Sequence, residues 1–156
     1  MTFTDDRVWT IHLSGEIHSD WREAFARQVK KVDLSIDITS AVLDHEDSDA
    51  CGTEILGDED KKFWADFKGA RINAIRNNTY IETADIVVVY FGDKYKQWNA
   101  AFEAGFAVAN EKPLITLHSE EHDHALKEID AAAFATCRNV EQVVKILEYV
   151  IDADLD

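Results

Sequence analysis

Between Trp98 and Asn110 the chain reads Trp-Asn-Ala-Ala-Phe-Glu-Ala-Gly-Phe-Ala-Val-Ala-Asn, a helical stretch that is apolar apart from one charge, Glu103. A helix apolar on every side is expected to be buried, and an isolated carboxylate on it is costly unless it is paired, hydrogen-bonded or open to a cleft. Spacing alone leaves two readings open: a structural acceptor for backbone or arginine donors, or a reactive carboxylate at a binding crevice. Gly105, two residues on, would let a neighbouring backbone or ligand come close. Further polar groups fall in loops. Ser14, Gly15, Glu16, Ile17 and His18 form one turn, Asp44 and His45 begin another segment, and Asp93 follows a strand, where Gly-Asp is also an ordinary turn pair.

Metal chemistry fits the pattern poorly. His118, His122 and His124 lie close in sequence, but positions i and i+2 point apart on a helix, and no carboxylate-histidine spacing typical of catalytic zinc is present. Asp47-x-Asp49-x-Cys51-Gly52 begins like a calcium loop, yet it places Cys at the third ligand and lacks the closing Glu. There is no Gly-x-Gly-x-x-Gly or phosphate-loop motif. The expectation is a site with no metal and no redox cofactor.

The elements that must position these groups alternate. Val8 to Leu13 reads as a buried strand. Asp20 with Glu23 has capping-box spacing, Trp21, Phe25 and Val29 repeat at helical spacing, and Lys30-Lys31 suit the negative end of the dipole. Leu34 to Leu43 can hold a second strand. The acidic run from Asp44 to Asp60, with Gly52 and Gly57, reads as a long surface loop near a binding site. Phe63, Phe67, Ala70 and Ala74 mark a helix to about Tyr80. Ile86-Val-Val-Val-Tyr-Phe91 has the pattern of a central strand covered on both faces. Trp98 to Asn110 forms a helix, Pro113 to His118 a strand, and Val140 to Ile151 a closing helix, while Ala132 to Ala135 could form a short strand. This order predicts an α/β fold: a three-layer sandwich with a mainly parallel, flavodoxin/Rossmann-like five-stranded sheet. Ligands then bind at the carboxyl ends of the strands, the edge that carries Ser14 to His18, Asp44-His45, Gly92 to Asn99 and His118.

The 156 residues are read as one domain, with no repeat or linker to divide them. Sixteen Lys and Arg against 31 Asp and Glu give a net charge of −15, which repels nucleic-acid polymers and anionic membranes. No apolar run is long enough to span a bilayer, and Met1 to Arg7 lacks the features of a secretory leader. Cys51 and Cys137 form no disulfide or metal spacing, so a cytoplasmic location is expected.

Two segments carry a resemblance: Leu13-Ser-Gly-Glu-Ile-His-Ser-Asp-Trp-Arg-Glu23 and Phe91-Gly-Asp-Lys-Tyr-Lys-Gln-Trp-Asn-Ala-Ala-Phe-Glu-Ala-Gly105. Over most of its length the chain resembles the nucleoside 2-deoxyribosyltransferases and the related deoxynucleoside 5′-monophosphate N-glycosidases, in particular the branch labelled YtoQ. Their Glu-x-Gly-x-Ala segment followed by Lys-Pro reads here Glu103-Ala-Gly105-Phe-Ala107 with Lys112-Pro113. The resemblance therefore implies that Glu103 is the nucleophile. It likewise makes Gly15-Glu16-Ile17-His18 similar to a sugar- and phosphate-binding turn, and Asp44-His45 similar to an acidic-His pair. The chain departs from the pattern where Gln97 replaces a base-contacting Asp, Asn99-Ala100 a Gly-Ser or Gly-Thr, Asn77 a second Asp, and His12 a first-strand Tyr.

A retaining reaction at a deoxyribosyl carbon needs a carboxylate that forms a sugar ester and a donor that protonates the departing base. Glu103 is the expected nucleophile and Asp93 or Asp44 the expected donor, with His18 or His45 as alternatives. Gln97, Trp98 and Asn99 could read or stack on the base, although Trp98 also suits a core position. Water would complete a hydrolysis and a second base a transfer. The expected partner is a small nucleoside or nucleotide, and the resemblance implies a homo-oligomer. The rival reading is a nucleotide-sensing module without turnover.

Overall fold

Ile86–Phe91 forms strand β3 within its predicted limits, and its β-branched run is buried because the strand lies in the middle of the sheet. The computed structural model describes residues 6–156, so all but the end of the leader reading at Met1 to Arg7 lies outside the described residues. Strands β1 (Trp9–Gly15) and β4 (Leu114–His118) flank β3, with β2 (Ile36–Ser40) and β5 (Ala135–Cys137) at the edges. Every pairing is parallel and the order is β2-β1-β3-β4-β5, the flavodoxin-like arrangement.

Alternation along the strands divides the core between two faces. Ile11, Leu13, Val88, Ile115 and Leu117 meet helices α1 (Trp21–Lys31) and α6 (Val140–Asp152) through Phe25, Val29, Val143, Val144 and Leu147. On the other face Val87, Val89, Phe91 and Leu114 meet α3 (Lys62–Thr83) and α4 (Trp98–Ala109) through Ile81, Ala100, Ala104 and Ala107. A short helix, α5 (Lys127–Ala132), adds Ile129 to that layer. Among the described residues no helix is long and apolar enough to cross a membrane.

Five expectations need correction. The acidic segment read as a loop holds helix α2 (His45–Leu56). Asp44 caps it by accepting from the Asp47 N–H at 2.9 Å, Glu46 and Asp47 complement its dipole, and Gly57 at φ +93° ends it. It was hidden because it has no broad apolar stripe and packs through a glycine instead: a Cβ on Gly52 would lie 2.5 Å from the Gly69 nitrogen of α3. The second correction is at α1, where Asp20 occupies the cap position without a capping side-chain bond. Third, α4 is not buried all round, since Trp98 is 75% and Phe102 70% exposed while Ala100, Ala104 and Ala107 face the sheet. Fourth, nothing approaches Gly105, where a Cβ would meet no atom within 4 Å. The last strand also lies slightly later than its expected place.

Candidate active site

Glu103 stands in the second turn of α4, on the face turned to the sheet by Ala100, Ala104 and Ala107. It is 8% exposed. Ser14, at the carboxyl end of β1, donates its hydroxyl to Oε2, and Asn77 of α3 donates Nδ2 to Oε1 at 3.3 Å. Burial pushes the carboxyl pKa up, while the Ser14 bond, the nearby Arg22 charge and the Asn77 bond pull it down. The outcome is a desolvated carboxylate held by neutral donors, with one oxygen bound by only a long bond.

Arg22 supplies positive charge beneath this site. It is buried, its guanidinium stacks on Trp21 at 4.8 Å, and its terminal nitrogens donate to the Glu16, Leu13 and Gly15 carbonyls at 2.5, 3.3 and 3.5 Å. Burial lowers its pKa to about 10. The same charge, after desolvation, helps to lower the His12 pKa to about 4, so His12 is a neutral ring that shares a hydrogen bond of 2.9 Å with Thr39 Oγ1.

Glu103 opens onto a cavity of about 540 Å³ between α2, α3 and α4. Ser48 and Asp49 of α2, Asp66, Gly69, Ala70, Asn73, Ala74, Asn77 and Asn78 of α3, and Asn99 and Phe102 of α4 complete its lining. Four amides and a hydroxyl can exchange hydrogen bonds with a neutral polar ligand, and Phe102 offers a ring face. Asn77 Oδ1 is buried without a hydrogen-bond partner, an acceptor available to such a ligand.

The Ser14 to His18 turn adjoins this site through Ser14. Gly15 has φ +105° and passes so near Tyr90 that a Cβ would lie 2.1 Å from its carbonyl oxygen, so only glycine fits. Glu16 is folded back into the turn: its carboxylate accepts from the His18 N–H, from the Ser19 N–H at 3.0 Å and from the Ser19 hydroxyl. Ile17 is half-buried and His18 exposed. His18 stacks edge-on with His45 at 5.8 Å and with Tyr95 at 4.9 Å, which draws the first turn, the start of α2 and the post-β3 loop together.

Other predicted site residues lie elsewhere. Asp93, Gln97 and Trp98 line a second cavity of about 570 Å³ with Lys94, Tyr95, Lys96, His122 and Leu126, on the opposite side of α4 from Glu103. There Asp93 accepts from Ser119 Oγ at 2.7 Å and lies 3.0 Å from His122 Nε2, and Gln97 Oε1 accepts from the Gly92 N–H at 2.9 Å. The division follows helical spacing, since Trp98 and Ala101 face one way while Asn99, Phe102 and Glu103 face the other. Asp44 is occupied as the α2 cap. Asp85, at the far end of β3, binds Arg7 at 2.5 Å and the Thr10 N–H at 2.8 Å, a strand-entry role.

Of the three neighbouring histidines only His118 is fully buried. Its Nδ1 lies 2.7 Å from the Ser119 carbonyl and its Nε2 2.8 Å from Asp130, with Asp123 3.8 Å away on the Nδ1 side. These three could face an ion. Arg138 instead holds Asp123 at 2.6 and 3.1 Å, and the two aspartates address different ring nitrogens, an arrangement suited to a clasp between β4 and α5.

Residues missed from the sequence are Asp49, Ser48, Asn73 and Asn78, all hidden by the loop reading of α2 or by lack of any motif. The Asp44 cap followed by Asp47 was the available signal for the first two.

With this geometry in view, a family model described as nucleoside 2-deoxyribosyltransferase YtoQ matches residues 12–151. The chain belongs to the YtoQ nucleoside 2-deoxyribosyltransferase family. It is 38% identical over 144 residues to YtoQ of Bacillus subtilis (strain 168), covering 92% of this chain and 97% of that one. Two solved structures share the fold. A conserved protein from Enterococcus faecalis V583 superposes with a TM-score of 0.62 at 15% identity, covering 92% of this chain and 99% of its own. A 2-deoxyribosyltransferase from Bacillus psychrosaccharolyticus gives 0.51 at 16% identity, covering 86% and 89%. Membership places this chain among nucleoside-processing proteins of the deoxyribosyltransferase type.

Proposed function

We propose that the protein cleaves the N-glycosidic bond of a free 2′-deoxynucleoside with Glu103 as nucleophile. The observation that carries this reading is a desolvated carboxylate on the wall of a polar cavity, oriented by Ser14 and Asn77. The Glu103 carboxylate attacks the anomeric carbon, the carbon–nitrogen bond breaks, and a glycosyl ester is left. A second base then attacks the ester to give an exchanged nucleoside, or water attacks to give free sugar. The orphan Asn77 Oδ1 can accept from a sugar hydroxyl, and Asn99 and Phe102 can hold the base.

Two features favour an unphosphorylated substrate. The backbone donors of the Glu16 to Ser19 turn already hold the Glu16 carboxylate, which fills the seat a phosphate would take. The cavity lining includes Asp49 and Asp66 and no lysine or arginine. A phosphate dianion would meet carboxylates there. We further propose a cytoplasmic homo-oligomer. Cys51 and Cys137 are free thiols, and exposed Phe63, Trp64 and Phe67 pack on one another as an apolar face for a second copy.

The test is base release and base exchange on a panel of deoxynucleosides and their 5′-monophosphates. Turnover of nucleosides in preference to monophosphates, lost by at least about 10³-fold in Glu103→Ala, is expected. Binding without base release would favour a sensor.

A further inference from the structure

We infer that Asp49, backed by His45, is the acid that protonates the departing base, an assignment that rests on the reading of Glu103 as nucleophile. The position from which the resemblance leads one to expect an acid holds Gln97, whose amide has no acidic proton and whose oxygen is bound to the Gly92 N–H. Asp93 faces the other cavity and Asp44 caps a helix. The carboxylates that share the cavity with Glu103 are Asp49 and Asp66.

Distance decides between them. Asn77 touches Glu103, so it marks the reacting end of the cavity along α3. Asp66 lies three turns before Asn77, about 16 Å along the axis at 1.5 Å per residue. Its carboxylate is also held by Lys62 Nζ at 2.9 and 3.1 Å. Asp49 sits level with the nearer part of α3. The preceding Ser48 carbonyl accepts from Asn73 at 2.9 Å, and the Asp49 carbonyl oxygen would lie 3.2 Å from a Cβ on Gly69. Gly69 and Asn73 are about 12 and 6 Å from Asn77 along the helix. The shorter of these is within the reach of a nucleoside from its anomeric carbon to the far edge of its base, and Asp49, between the two, must span the remainder with its side chain.

Asp49 also has a proton source. His45 Nε2 lies 3.2 Å from Asp49 Oδ2, one turn earlier on α2, close enough to pass a proton to it. In the first step the electron pair of the breaking bond passes into the base, which takes a proton from Asp49 as Asp49 takes one from His45, so that the pair relays a single proton and Asp49 ends as the carboxylate it began as. In the second step the attacking water or acceptor base gives a proton to the Asp49–His45 pair, and the ester electron pair returns to Glu103. Protons and charge balance over the cycle with no further reactant.

The test compares two leaving groups. Asp49→Asn lowers kcat/KM for ordinary 2′-deoxynucleosides by about 10²–10⁴-fold. N7-methylated purine deoxynucleosides carry a base that is already cationic and needs no proton, and on these the variant stays close to wild type. The Asp49 side chain is 63% exposed, so the substitution leaves packing intact, as circular dichroism would verify. Glu103→Gln abolishes turnover of both substrates. Equal loss on both substrates in Asp49→Asn, or no loss on either, overturns the Asp49 assignment and leaves Glu103 standing. A wild type inert to both, or Glu103→Gln as active as wild type, overturns the reading of Glu103 itself.

Discussion

Glu103 and His12 lie in the same layer between β1 and α3, and burial drives both towards neutrality by moving their pKa values in opposite directions. For His12 the folded value of about 4 is below the unfolded value of 6.5, so the unfolded chain binds more protons between them. Stability is therefore complete above about 6.5 and is lost as pH falls towards 4, by up to the order of 3 kcal/mol. Glu103, raised above its usual value, works in the other sense: just above that value the folded chain binds more protons, and stability falls as pH rises. Urea midpoints measured across this range should drop on acidification in wild type and flatten in His12→Gln. An unchanged slope in the variant would assign the acid loss to other groups.

The cavity exists because α2 can approach α3, and that approach depends on paired glycines. Gly52→Ala would set a Cβ 2.5 Å from backbone at Gly69, so α2 must shift. A loss of about 1–3 kcal/mol is expected, with Tm falling about 2–4 °C for each kcal/mol. Gly105→Ala, with open space around it, should instead gain up to about 1 kcal/mol from helix propensity. Thermal unfolding of the two variants checks both signs. The same helices show how far the sequence could be read. β3, α4 and α6 were legible because their apolar runs follow one period without interruption. Helix α2 was not, because its acidic surface and internal glycine imitate a loop, and its glycine makes sense only beside a second glycine 17 residues away in sequence. Glu103 was legible as a lone charge among apolar residues. Its partners Ser14 and Asn77 are ordinary in type, and only the crossing of β1, α3 and α4 brings them to it.

At the scale of the whole molecule, a net charge of −15 surrounds a cavity whose wall is itself acidic. The field disfavours polyanions and phosphates and leaves neutral nucleosides unaffected. The parallel sheet contributes by bringing the carboxyl end of β1 and the second turns of α2 and α4 to one edge, where Ser14, Asp49 and Glu103 arise from distant parts of the chain. A nucleophilic Glu103 must form a bond to the sugar. Acid quench during turnover of a deoxynucleoside, followed by peptide mass spectrometry, reads this directly. The predicted result is one deoxyribosyl unit added to the peptide that contains Glu103, absent in Glu103→Gln. Base release at full rate with no such adduct, or an adduct on another residue, would contradict it.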